Sequence, residues 1–153
     1  MRGRYKRCLI VVEGLYSMDG DVADLPELVK IKNEHDCWLM VDEAHSIGTL
    51  GGSGRGLCEH FDIDVGDVDL IVGTLSKAFV SSGGFIAGHG AVIRWLRYTL
   101  PGFVFSVGLA PSVAASALSA LRVLKREPAL TDVLRKKSRH FVQEAELLGL
   151  DTG

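Results

Sequence analysis

Two kinds of apolar pattern alternate along this chain. Residues 8–12, 37–41 and 68–72 are short, nearly continuous apolar runs rich in branched side chains. Runs of that length and continuity predict buried strands. Residues 85–88, entered through Gly83-Gly84, predict a fourth strand. Between the first two, Asp24-Leu25-Pro26-Glu27 carries a helix-start signature: Asp24 caps, Pro26 suits the first turn and Glu27 takes the capping-box position. Leu28 and Ile31 continue that helix to about His35. Helical spacing returns at 91–98, and residues 103–105 read as a short extended piece. Pro111 opens an Ala-rich helix with Val113, Ala114, Ala117, Leu118, Leu121 and Leu124 on one stripe. After Pro128 a last helix runs from about Thr131 to Leu148, with Leu134, Phe141, Val142, Ala145 and Leu148 expected to face inward.

Strands alternating with helices, followed by helices alone, predict an α/β fold. Its expected form is a mostly parallel sheet of three or four strands flanked by helices, with C-terminal helices appended. Residues 1–110 form the sheet-bearing part and 111–153 a helical segment. A parallel sheet needs cover on both faces, and the first and last elements arrive abruptly, so the chain reads as the middle of something larger.

Composition narrows the function. A formal charge of -2 gives no electrostatic case for nucleic acid or an anionic membrane. The one basic cluster, 135–140, lacks interleaved aromatics and reads as a solvated helix face. Three cysteines without a Cys-x-x-Cys pair indicate neither zinc nor a disulfide framework, and they fit a reducing cytoplasm. No apolar stretch reaches membrane-spanning length, and no signal peptide is visible.

The candidate chemistry lies where the strands end. Val41-Asp42-Glu43-Ala44-His45 closes one run, and Gly73-Thr74-Leu75-Ser76-Lys77 closes another. Ligands of parallel α/β sheets bind beyond the carboxyl ends of the strands. An acid, an imidazole, an amine and hydroxyls gathered there suit an aldehyde cofactor with a ring nitrogen and a phosphate. Residues 46–56 hold five glycines, a loop that permits close backbone approach. Asp-Glu-Ala-His also marks a helicase class, but the Gly-Lys of its phosphate loop is absent. His-Glu-x-x-His and Gly-x-Ser-x-Gly are absent too, which removes zinc- and serine-hydrolase readings. Taken singly, Asp42 and His45 fit a strand-end turn and Lys77 a surface lysine; it is the combination that argues for a site.

Six motifs occur in order: Glu13-Gly14-x-x-Ser17-Met18-Asp19-Gly20-Asp21, Val41-Asp42-Glu43-Ala44-His45, Gly52-x-Gly54-Arg55-Gly56, Gly73-Thr74-x-Ser76-Lys77-Ala78, Gly83-Gly84-x-Ile86-Ala87-Gly88 and Phe103-x-Phe105-Ser106. On these the chain resembles the central part of the α-oxoamine synthases, fold-type I enzymes dependent on pyridoxal 5'-phosphate. The resemblance implies a homodimeric acyltransferase that condenses an amino acid with an acyl-CoA or related thioester, usually with decarboxylation, to an α-amino ketone. It implies that Lys77 anchors the cofactor and acts as general base, that Asp42 pairs with the pyridine nitrogen, and that His45 and Ser17 approach the phenolic oxygen. Thr74 and Ser76 would bind the phosphate, and Ser106 would reach the phosphate of the other subunit, a satisfied strand-end hydroxyl being the alternative. The contexts of Asp42 and Lys77 look most like the serine palmitoyltransferase-like members, with an 8-amino-7-oxononanoate synthase type next. A non-catalytic scaffold piece is the reading from another class. In the family a ring-stacking histidine lies upstream and a carboxylate-binding arginine downstream of these motifs, so the segment alone is expected to bind cofactor weakly and turn over little substrate.

Overall fold

A computed structural model describes residues 5–152. The sheet forms from β1 (Leu9–Glu13), β2 (Trp38–Asp42), β3 (Leu70–Thr74) and β4 (Gly84–Gly88), in spatial order β1-β2-β3-β4. The first three strands are parallel, and β4 returns antiparallel to β3. The expected α/β architecture is therefore present, with a mixed and mostly parallel sheet. Helix α1 (Leu25–His35) links β1 to β2 as the capping signature predicts: the Asp24 carboxylate accepts the Glu27 N–H at 3.2 Å. The third strand begins two residues later than the apolar run suggests. Asp69 explains the delay, because its carboxylate accepts from Leu39 N–H at 2.8 Å and from Lys32 Nζ at 2.9 Å instead of entering the strand.

Register decides where the chemistry falls. Glu13 pairs with Asp42, and Asp42 with Val72, two residues before Thr74. Thr74 in turn pairs with Gly84, where β4 begins. One edge of the sheet thus collects the ends of β1, β2 and β3. Gly73 is required beside it, since a Cβ there would stand 2.6 Å from the Phe85 ring.

The core lies on one face of the sheet. Leu39 and Val41 alternate toward Leu25 of α1 and toward Leu57 and Cys58 of a short helix, α2 (Leu57–Phe61). The sequence reading missed α2, which follows the glycine loop directly. The Cys58 thiol is pushed up to about 11, by burial first and then by the Glu43, Asp64 and Asp67 carboxylates, so it stays protonated at neutral pH.

On the other face Leu9, Val11 and Trp38 are 46%, 56% and 40% exposed. The whole chain exposes 10766 Å², against about 7,500 Å² for a compact monomer of this size. Much of that excess lies on the later helices. Helices α3 (Gly90–Thr99), α4 (Pro101–Val104), α5 (Pro111–Arg126) and α6 (Ala129–Leu147) complete the chain. On α5, Val113, Ala117 and Leu124 are half-buried, but Ala114, Leu118 and Leu121 are exposed. On α6 only Ala145 of the five expected inward residues is buried; Leu134, Phe141, Val142 and Leu148 face solvent. The described residues cover these apolar stripes only in part.

Two smaller expectations are also corrected. Residues 103–105 are not extended: Pro101 starts α4, and the Phe103 and Val104 N–H groups donate to Leu100 O. Proline pre-set for a first helical turn outweighs the strand preference of Phe-Val-Phe. In the basic cluster, Arg135 is not merely solvated, because its guanidinium donates to Gly51 O at 2.7 Å and ties α6 to the glycine loop.

Val80, just after Lys77, has φ +48 although it is β-branched. Its side chain is 76% exposed, so it gains little packing in return. Ser81 Oγ donating to Val113 O and Ser116 Oγ donating to Val80 O hold this turn against α5. Left-handed backbone costs a non-glycine residue about 1–2 kcal/mol, partly offset in a glycine variant by chain entropy. Val80→Gly is expected to raise stability by about 1 kcal/mol, read as a higher midpoint in a thermal melt; an unchanged or lower midpoint would show that the turn is not strained.

Candidate active site

Three strand ends supply the site. The turn after β2 brings His45 back over the sheet edge, fixed by Thr49 Oγ1, which donates to His45 O at 2.6 Å and Ser46 O at 2.8 Å. The Asp42 carboxylate accepts the Ala44 N–H at 2.8 Å, which shapes the same turn. From the loop after β3, Lys77 Nζ reaches His45 Nε2 at 2.5 Å. Thr74 Oγ1 and Ser76 Oγ lie 2.7 Å apart on that loop, and the Ser76 N–H donates to Thr74 Oγ1 at 3.1 Å. Among the candidate residues, His45 thus meets Lys77 and Thr74 meets Ser76.

Ser17 is placed less directly. Its backbone N–H donates to Glu13 Oε2 at 3.2 Å, so it stands at the end of β1. Ser106 stands apart. Its hydroxyl donates weakly to Phe103 O at 3.4 Å, and no contact joins it to the other candidates among the described residues. Its neighbours Phe105 and Val107 are 86% and 95% exposed.

Two carboxylates were absent from the expected site. Glu13 Oε2 lies 3.4 Å from His45 Nδ1 while holding Ser17. Glu43 is 2% exposed. It accepts the Leu57 N–H at 3.0 and 3.1 Å and the Ser46 hydroxyl, joining the β2 turn to the start of α2. Gly14 and Gly56 leave room for this arrangement, since a Cβ on either would collide with Ser46 or Glu43. Burial raises the Glu43 carboxyl above its ordinary range and the Asp42 charge adds to this, while the Ser46 and Leu57 hydrogen bonds oppose it. Both residues carried a faint sequence signal: Glu13 ends a strand run with a charge, and Glu43 sits in an acid pair at a strand tip.

An open cavity of about 640 Å³ adjoins the pair, with His45 and Lys77 on its wall and Ala120, Leu124 and Leu134 of α5 and α6 opposite. Among the described residues no cluster of three or more His, Cys, Asp or Glu is arranged to hold a metal ion. No helix there is long and apolar enough to cross a membrane.

The sequence model of the family described as "Aminotransferase class I and II" matches residues 2–152. The chain belongs to that family. Within it, the chain is 41% identical over 145 residues to a serine palmitoyltransferase of Bacteroides ovatus, covering 95% of this chain and 36% of that protein. It is 44% identical over 151 residues to an 8-amino-7-oxononanoate synthase of Symbiobacterium thermophilum, covering 99% and 38%. Among solved aminotransferase-family structures, a Sphingomonas wittichii serine palmitoyltransferase superposes with TM-score 0.88 at 37% identity, over 96% of this chain and 37% of that one. A serine palmitoyltransferase solved with PLP internal aldimine superposes with TM-score 0.86 at 35% identity, over 92% and 35%. The chain therefore spans little more than a third of the length of these relatives, and the α/β fold is the family's fold.

Proposed function

We propose that this chain is the central part of a pyridoxal-phosphate-dependent α-oxoamine synthase of serine palmitoyltransferase type. The observation that carries the reading is the Lys77–His45 contact at the sheet edge. Lys77 Nζ faces an imidazole nitrogen rather than a carboxylate, so its amine is not committed to an ion pair and suits a carbonyl partner. The donor set fits the cofactor: an amine for the aldehyde, Asp42 for a ring nitrogen, and the Thr74–Ser76 hydroxyls for a phosphate.

In this reading Asp42 keeps the pyridine ring protonated. The bound cofactor supplies an electron sink for charge developing at the amino acid Cα. Lys77 would hold the cofactor and, as a free amine, would accept the amino acid Cα proton. His45 and Ser17 orient the phenolic oxygen, and Thr74 and Ser76 hold the phosphate. Residues 1–110 belong to the cofactor-binding large domain, and 111–153 lead toward a C-terminal domain. Ser106, on an apolar and exposed segment, would serve a partner subunit's phosphate in a cytoplasmic homodimer.

Expected substrates are a small amino acid and an acyl thioester, serine and palmitoyl-CoA first. The 44% identity to an 8-amino-7-oxononanoate synthase keeps that specificity as the second reading. The test, made on the full-length protein, is thiol release from acyl-CoA of long and short chain, measured with serine and with other small amino acids. Amino-acid-dependent release, fastest with serine and the long chain, supports the reading; release independent of amino acid would sink it.

A further inference from the structure

Glu13 touches two candidate site residues and has no assigned role. It is the last residue of β1 and lies in register with Asp42. Its Oε2 accepts the Ser17 N–H at 3.2 Å and faces His45 Nδ1 at 3.4 Å, while His45 Nε2 faces Lys77 Nζ at 2.5 Å. The three side chains form one line across the ends of β1, β2 and β3. Glu13 is 39% exposed and His45 29%, so neither is fully solvated.

A neutral imidazole has one donor and one acceptor nitrogen, and the partner of one sets the role of the other. An ionised carboxylate only accepts. A carboxylate facing Nδ1 at 3.4 Å favours the hydrogen on that nitrogen, which leaves the Nε2 lone pair toward the Lys77 amine. Without Glu13 nothing at Nδ1 selects between the two tautomers, and in the Nε2–H form the imidazole no longer accepts from Lys77.

We propose that Glu13 is a positioning residue that holds His45 as its Nδ1–H tautomer, leaving Nε2 to accept from Lys77. Its catalytic meaning rests on Lys77 being the cofactor anchor; the tautomer itself does not. By fixing the imidazole, Glu13 aims the Lys77 amine instead of leaving it to swing free.

The test reads the tautomer directly. In ¹⁵N-labelled protein at mildly alkaline pH, where a free imidazole is neutral, the His45 signals are assigned by their loss in His45→Gln. Wild type is expected to show a protonated Nδ1 and an unprotonated Nε2. Glu13→Leu is expected to move the proton to Nε2 or mix the two forms, while Glu13→Gln, whose amide oxygen can still accept, restores the wild-type pattern. The second readout is the rate at which borohydride traps pyridoxal phosphate on Lys77, expected to fall about tenfold in Glu13→Leu, the lower end of what losing the orienting partner of a metal-bound histidine costs. A wild-type Nε2–H signal overturns the proposal even where Glu13→Leu does not fold, and so does an unchanged tautomer in that variant. If the tautomer behaves as stated but wild type never traps cofactor on Lys77, the cofactor reading falls and the tautomer assignment stands.

Discussion

In the full-length protein, replacing Lys77 by alanine is expected to abolish turnover and the visible absorbance that pyridoxal phosphate gives with the wild type. Two roles disappear together. The general-base role alone is worth about 10²–10⁴ in rate, and the covalent anchor is lost in addition. Lys77 is exposed, and its amine meets only His45 among the contacts described, so the fold should survive the change. The control is an unchanged thermal midpoint. Lys77→Arg is a sharper variant, because it keeps the charge but cannot lose a proton to become a nucleophile. Equal loss in both variants assigns the effect to amine chemistry, whereas activity retained in Lys77→Arg would assign it to charge.

Glu43→Ala is expected to destabilise the fold by about 3 kcal/mol, through loss of hydrogen bonds to a charged group and burial of unsatisfied partners. The carboxylate is nearly inaccessible and holds the Leu57 N–H and the Ser46 hydroxyl, both of which would be left without it. For a chain of this size the melting midpoint would drop by roughly 6–12 °C. Glu43→Gln keeps an acceptor for Leu57 and is expected to cost far less at neutral pH. The two variants also separate by pH. Burial raises the folded carboxyl above its unfolded value of 4.5, so between those two values the folded state holds the extra proton. Stability from this residue therefore increases as pH falls through the raised value and levels off below 4.5. Glu43→Gln should lack that rise. Equal pH slopes for wild type and Glu43→Gln in denaturant titrations would place the source elsewhere.

Much of the site could be read from the sequence because its geometry is local. A continuous apolar run ending in Asp42 or Thr74 names a strand and its tip at once, and parallel register then brings the tips together. Asp24 and Pro26 announced α1 for the same reason: capping is settled within four residues. The unread parts depend on contacts between distant segments. Glu43 acts on Leu57, fourteen residues on, across a glycine loop with no periodic signal. Glu13 acts on His45, thirty-two residues away, through a sheet neighbour. Helix α4 differs from the expected extended piece because the strand preference of Phe103-Val104-Phe105 is local and Pro101, two residues ahead, starts a helical turn. On α5 and α6 the spacing showed which faces are apolar, but spacing carries no information about what covers a face.

Covalent trapping of the cofactor identifies the anchoring residue directly. The protein is incubated with pyridoxal phosphate, reduced with borohydride, digested, and the pyridoxyl-bearing peptide is sequenced by mass spectrometry. The predicted result is a single label on Lys77, absent in Lys77→Ala and weakened in Asp42→Asn. A label on another lysine such as Lys32 or Lys136, or no label at saturating cofactor, would contradict it.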